Sequence, residues 1–388
     1  MNIITDPDVE YDCSLYTKSK GFTQLMRLVL MTGKNPEILN DVKLVISKHK
    51  SIIDNKNNKG WTALMLACRN SNMWSSIDTV IILINAGANI NIHNNNQCSP
   101  LMYASRYSNN ESNLATVKLL IDAGANINMQ DKDKWTALML ASRYSNIDSN
   151  LATVKLLIDA GANINMQDKD KWTALMFAAE NSNTDSNLDT VKLLINSGAD
   201  VNILNKYHCN ALMYAARFSN RDSNLLTVKT LIDAGTNINL QAESGKTAIM
   251  YAINAINETS NWDTIKMLID EGADMFLMTN DGNSAFTINM DITDKLIGMY
   301  TERQIYLSNQ HMLKKLHYDK VLKKIPDQCQ KVKLQPGNIG AKILKISFKI
   351  KSGQIGIIDV YHKMIRKNNF ILDYLGIFCM EQFMLTFL

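Results

Sequence analysis

Residues 112–139 and 149–176 are identical, letter for letter, at an offset of 37. No other property of the chain restricts its fold as strongly. A phrase that recurs at a fixed interval of this size belongs to a stacked-repeat architecture. The same phrase, with substitutions, recurs from about residue 21 to about residue 290. A small polar residue anchors each copy, at Thr23, Thr62, Ser99, Thr136, Thr173, Asn210, Thr247 and Ser284. Every step from Thr62 onward is 37 residues and the first is 39, which gives eight units, the last of them partial.

Within a unit the pattern predicts two helices. The anchor hydroxyl or amide can accept a backbone N–H bond and so start a helix. Leu138, Ala141 and Ser142 then fall on one side of it, as Leu64, Ala67 and Cys68 do two units earlier. A polar bend follows, such as Ser145-Asn-Ile-Asp-Ser-Asn150. Asn150 or Ser149 caps a second helix predicted over 151–160, and Gly161 stands where a left-handed C-cap ends it. Gly87, Gly124, Gly198, Gly235 and Gly272 repeat that position. Ala-Asn-Ile-Asn and a polar tip such as Asp168-Lys-Asp-Lys171 close the unit.

Trp-Thr-Ala-Leu-Met-x-Ala followed by x-Thr-Val-Lys-Leu-Leu-Ile-x-x-Gly-Ala-Asn-Ile-Asn resembles the ankyrin repeat, in phase over about seventy percent of the chain. The resemblance implies an all-α solenoid of about eight helix-turn-helix units. Three departures stand out. The usual unit has ~33 residues, and the extra four lie in the bend between helices. The usual Pro after the anchor is Ala or Gln except at Pro100, and the usual His is Met at Met26, Met65, Met102, Met139, Met176, Met213 and Met250. The Gly two residues before the anchor is kept at Gly21, Gly60, Gly245 and Gly282 but is Gln97, Lys134, Lys171 and His208 elsewhere, which leaves the turn at those tips open. The Asn-, Ile- and Lys-heavy composition and the Ser-Asn inserts resemble the ankyrin proteins that giant DNA viruses encode. That resemblance implies the cytoplasm, of the host if viral.

Three segments follow: a polar leader over 1–20, the array over 21–310, and a basic segment over 311–388. The last carries fourteen Lys or Arg against five Asp or Glu, so the whole chain's +4 divides into +9 there and −5 before it. Alternation at 343–351 and 355–362, with a Ser352-Gly353 turn between, predicts two strands, and 369–388 a helix: a small C-terminal α+β extension. Pro326 ends a helix predicted over 294–324. The six cysteines are far apart with no CxxC pair, which argues against a disulfide framework or a zinc site and for a reducing compartment. The six histidines have no ligand spacing, no phosphate-loop or hydrolase motif occurs, and no uncharged apolar run approaches the ~20 residues of a membrane span. No enzyme activity, cofactor, metal or small-molecule substrate is expected.

In a repeat stack, positions that differ between units while the frame stays fixed are the candidates for binding. Core residues occupy anchor +2, +5 and +6, so +4, +7 and +8 point the other way at 100° per residue. Position +7 holds Arg69, Arg106, Arg143, Glu180 and Arg217; +8 holds Tyr107, Tyr144 and Phe218; +4 holds Tyr103, Phe177, Tyr214 and Tyr251. The tips add Trp61, Trp135 and Trp172 before the anchor, with Lys132, Asp133, Lys169, Asp170, Lys206 and Tyr207 nearby. The ankyrin resemblance implies that this surface is a partner-binding groove, and Arg, Tyr and Trp are the residues that most often carry interface energy. The plainer alternative is that the Arg and Tyr rows stack on the next unit and each Trp plugs a turn.

The function expected is a monomeric scaffold that holds a protein partner in the groove. Two alternatives involve the last segment. One is an adaptor that recruits a substrate to a ubiquitin ligase, since Asn369-Phe-Ile-Leu-Asp-Tyr-Leu-Gly-Ile is loosely like an F-box module. The other is nucleic-acid binding, where Gly337-Asn-Ile-Gly340 with Lys342, Lys345 and Lys349 matches the GxxG loop of a KH domain. A folded cap is the plainer reading of that segment.

Overall fold

The structure is a computed structural model, and it describes residues 21–322. The leader and the expected strands, turn and helix beyond Pro326 lie outside the described residues. The chain divides into two compact units, one running to Thr293 and the other beginning at Asp294. The first is the repeat stack.

Seven two-helix units are formed in order. Their first helices are α1 (Gln24–Val29), α3 (Ala63–Arg69), α5 (Pro100–Arg106), α7 (Ala137–Arg143), α9 (Ala174–Glu180), α11 (Ala211–Phe218) and α13 (Ala248–Asn254). Their second helices are α2 (Ile38–Lys48), α4 (Ile77–Asn85), α6 (Leu114–Asp122), α8 (Leu151–Asp159), α10 (Leu188–Asn196), α12 (Leu225–Asp233) and α14 (Trp262–Asp270). In these seven units each anchor side chain except that of Thr247 accepts the backbone N–H three residues on, as Thr136 Oγ1 does from Met139. The two extra residues of the first step are absorbed where α2 runs on into a 3-10 turn, Lys50–Ile52. At Ser284 the eighth copy forms only a turn, in which Phe286 packs edge-on to Phe276 at 5.4 Å. A 3-10 turn, Met290–Ile292, leads into the long helix α15 (Thr293–Leu322).

Stacking is what buries the core. Each first helix packs on its own second helix and on the first helix of the next unit. Leu138, Met139, Val154 and Leu157 are all 1% exposed or less, and their counterparts repeat along the stack. The methionine row is wholly internal, filling the space where an adaptable side chain packs well. A single unit could not cover these residues, which is why neighbours are required.

The four-residue insert is a second core, made of hydroxyl groups. At six successive interfaces one residue of a unit meets two from the next. Ser145 is 3.0 Å from Ser186 and 2.7 Å from Thr190. The same triad recurs at Thr32, Ser71, Ser108, Ser182 and Ser219, with the Thr bond always 2.6–2.7 Å. All these side chains are buried. Beside them the backbone N–H of Asn146 donates to the Asp185 carbonyl, and its side-chain amide to that of Thr184, both at 2.9 Å. The bends thus form their own ladder along the stack.

The tips all turn alike. Gln97, Lys134, Lys171 and His208 have φ of 62°, 64°, 60° and 56°, the left-handed conformation that Gly60 and Gly245 adopt at 80° and 77°. A bond from the next tip braces the turn with or without glycine: Lys169 N–H donates to the Asp133 carbonyl at 2.9 Å, as Asn95 N–H does to the Lys59 carbonyl at 3.1 Å beside Gly60.

Candidate functional site

The tips and first helices of units four to seven enclose one groove of about 960 Å³. Its upper wall comes from the tips: Asp133, Lys169, Asp170, Lys206, Tyr207 and Glu243. Its floor comes from α7, α9, α11 and α13, which supply Arg143, Phe177, Glu180, Tyr214, Arg217 and Tyr251. Trp135, Trp172, Asp168 and Cys209 join wall to floor.

Each of the three tip tryptophans lies against the aromatic residue at +4 of the following unit. Trp61 pairs with Tyr103 at 4.3 Å, Trp135 with Phe177 at 4.2 Å and Trp172 with Tyr214 at 4.3 Å between ring centroids. Where the tryptophan position is Cys209, its thiol meets the Tyr251 hydroxyl at 3.4 Å instead. Trp135 and Trp172 are 8% exposed, so they plug the turns and offer the groove only part of each ring.

The arginine and tyrosine rows divide by burial. Arg69 and Tyr107, expected on the basis of helical phase to face a partner, are sealed in the stack at 4% and 5% exposure. Arg69 is held 3.4 Å from Glu111 in a buried ion pair, with its guanidinium 4.7 Å from the Tyr107 ring centre. The physical reason is that +7 and +8 lie at the end of a two-turn helix, within reach of the next unit's insert. Arg106 is half-buried between the rings of Tyr107 and Tyr144, at 5.0 and 4.7 Å. Tyr144 and Phe218 are also half-buried, outside the groove, and Phe218 lies 5.1 Å from the Arg217 guanidinium. Arg143 is half-buried on the groove floor, and Arg217 is exposed there. Lys132 is exposed and lies off the groove.

Charges on the wall are paired from tip to tip: Lys169 to Asp133 at 3.9 Å, and Lys206 to Asp170 at 2.6 Å. Exposed pairs like these contribute about 0–1 kcal/mol each. The Asp170 carboxylate raises the Lys206 ammonium above the usual lysine range. Burial pushes the Tyr251 hydroxyl up to about 12, and it raises the Tyr214 hydroxyl and the Cys209 thiol as well. These groups stay protonated at neutral pH, as hydrogen-bonding groups rather than nucleophiles.

Asp168 shapes the fifth unit's tip. Its carboxylate accepts the backbone N–H groups of Asp170 at 2.9 Å and Trp172 at 2.7 Å. Asn57, Asn94 and Asn205 do the same in their units. Burial nonetheless raises the Asp168 carboxyl to about 6, against the pull of those two N–H groups. Glu180, on the floor, is the groove's other buried acid. Burial raises it, and the Arg143 charge and the Asn181 amide offset part of that. Its break in the +7 arginine row was visible in the sequence. That it lies deep in a groove was not.

Among the described residues no group of three His, Cys, Asp or Glu could hold a metal ion. None of the described helices is long and apolar enough to cross a membrane.

A stack of near-identical helical hairpins with a lined groove along one side defines a helical repeat protein, a class in which stacking creates an extended concave surface. The family model "Ankyrin repeats (3 copies)" matches in overlapping windows, residues 4–94, 25–131, 71–165, 101–204 and 147–241, which together cover more than half of the chain. The chain belongs to the ankyrin-repeat family. It is similar to ankyrin repeat proteins of Acanthamoeba polyphaga mimivirus. One is 43% identical over 89 residues, covering 22% of this chain and 10% of that protein. A second is 47% identical over 75 residues, covering 19% of this chain and 14% of that protein. The chain therefore spans only a small part of the length of these relatives.

Proposed function

We propose that this protein is an interaction scaffold that holds a partner protein in the groove of units four to seven and performs no chemistry of its own. The observation that supports this is the groove itself, where aromatic rings and two accessible arginines converge from four consecutive units on one concavity. Ankyrin-repeat proteins generally act as protein-binding scaffolds, and neither wall nor floor offers an activated nucleophile. The contact set is Arg143, Arg217, Tyr207, Lys169 and Asp170, with the edges of Trp135 and Trp172. Arg69 and Tyr107 are not in it, because they are buried between units away from the groove. The residues that would serve as ligase adaptor or nucleic-acid site lie outside the described residues.

The test is capture of partners from a host-cell extract on the full chain, read by mass spectrometry beside the R143A/R217A/Y207A variant. These side chains are half-buried or exposed, so the stack should survive their loss, and circular dichroism checks that it does. A partner set that disappears with the variant supports the groove. A set that is unchanged removes it.

A further inference from the structure

Three successive units place Arg143, Glu180 and Arg217 at the same helical position on the floor of one groove. Glu180 is the odd member of a row that otherwise reads arginine at 69, 106, 143 and 217. It is only 5% exposed. Its Oε2 accepts a hydrogen bond from the Asn181 amide at 3.3 Å, while its Oε1 is buried with no hydrogen-bond partner. A buried carboxylate oxygen without a donor is rare and destabilising. Burial raises this carboxyl, and Arg143 offsets the effect only in part. On the wall above, the Lys169–Asp133 and Lys206–Asp170 pairs neutralise each other. Along the floor the charges run plus, minus, plus, with one oxygen of the central carboxylate left without a donor.

We propose that the groove takes a partner segment with the complementary order, acid, base, acid: a Lys or Arg whose cation donates to Glu180 Oε1, flanked by carboxylates facing Arg143 and Arg217. This deepens the scaffold reading and rests on the groove being the docking surface. A lone cation is excluded, because both neighbours of Glu180 on the floor are arginines and would repel it. A purely acidic segment is excluded because it would set a second carboxylate against Glu180. Spacing follows from the stack. Packed helices lie about 8–10 Å apart, and a polyproline-II segment, with three residues per turn and about 3.1 Å rise, presents residues i, i+3 and i+6 on one face at about that interval. The half-buried Tyr214 ring on the floor beside Glu180 suits the stem of the central basic side chain.

Selection of a random-peptide library on the immobilised full chain tests this, with selected peptides then measured on E180Q, E180R and R143A/R217A. E180Q preserves the shape of the side chain and so guards against a variant that fails to fold. Supporting results are selected peptides with a base between two acids at the i, i+3, i+6 spacing, at least about tenfold weaker on E180Q. Selection on E180R should then favour an acid at the centre. Peptides without a central base, or binding that E180Q leaves unchanged while R143A/R217A abolishes it, overturn the charge pattern but keep the groove. Binding indifferent to R143A/R217A as well overturns the docking reading itself.

Discussion

At the scale of single residues, two loop positions show how neighbours hold costly choices in place. Lys134 and Lys171 adopt a left-handed conformation that costs a side-chain-bearing residue about 1–2 kcal/mol, whereas glycine costs about 0.5–1 kcal/mol in unfolded-chain entropy. Lys171→Gly should therefore raise stability by about 0.5–1 kcal/mol, seen as a higher denaturation midpoint; no change would show that the turn relaxes freely. Asp168 makes a sharper case. Its folded pKa of about 6 lies above the unfolded value of about 3.9. The folded state thus holds more protons between those values, and the contribution of Asp168 to stability is full below about pH 4 and lost as pH rises through 6. Comparing Asp168→Asn with the parent isolates this: the stability difference should shift in favour of the variant across that window and stay flat above it. The Asn also brings a donor. At Asn94 and Asn205 that amide reaches a tyrosine hydroxyl at 2.9 and 2.7 Å, whereas the fifth unit offers Phe177. D168N/F177Y should therefore be more stable than the sum of its single changes, by about 1 kcal/mol in a double-mutant cycle.

At the scale of an element, the insert is the part that departs from the usual unit, and its physical role is internal. Ser145, Ser186 and Thr190 satisfy one another in a pocket closed to water. Removing one hydroxyl leaves buried partners unmet, which costs about 1–3 kcal/mol. Thr190→Val, nearly the same shape, should lower stability by that amount. Unchanged urea unfolding would mean that water enters the pocket. The bend also brings Glu111 to Arg69, which is why a residue expected to face solvent is an internal ion pair.

At the scale of the whole stack, each unit is supported only by its neighbours, so stability should behave as unit terms plus interface terms. Leu157 is fully buried at the middle of the array. Leu157→Ala should cost about 2–5 kcal/mol and loosen units four and five first. Hydrogen exchange should show the protection of α7 to α10 falling before that of α3 and α13. Uniform loss along the array would indicate a single cooperative block. The groove belongs to this scale too, since no single unit contains it.

The repeat, its period, the helix starts and the helix stops could be read directly from the letters, because they depend on local bonds: an anchor side chain capping its own helix, a glycine ending the next. What the letters did not decide was which side of the first helix remains open. Arg69 and Arg217 hold the same position in their units, yet one is sealed against Glu111 and the other is exposed on a groove floor. Exposure there depends on what the next unit's insert places opposite, a contact some forty residues away in sequence. Glu180 became a candidate for the same reason: a broken pattern is visible in one dimension, but an oxygen without a partner exists only once the units are stacked.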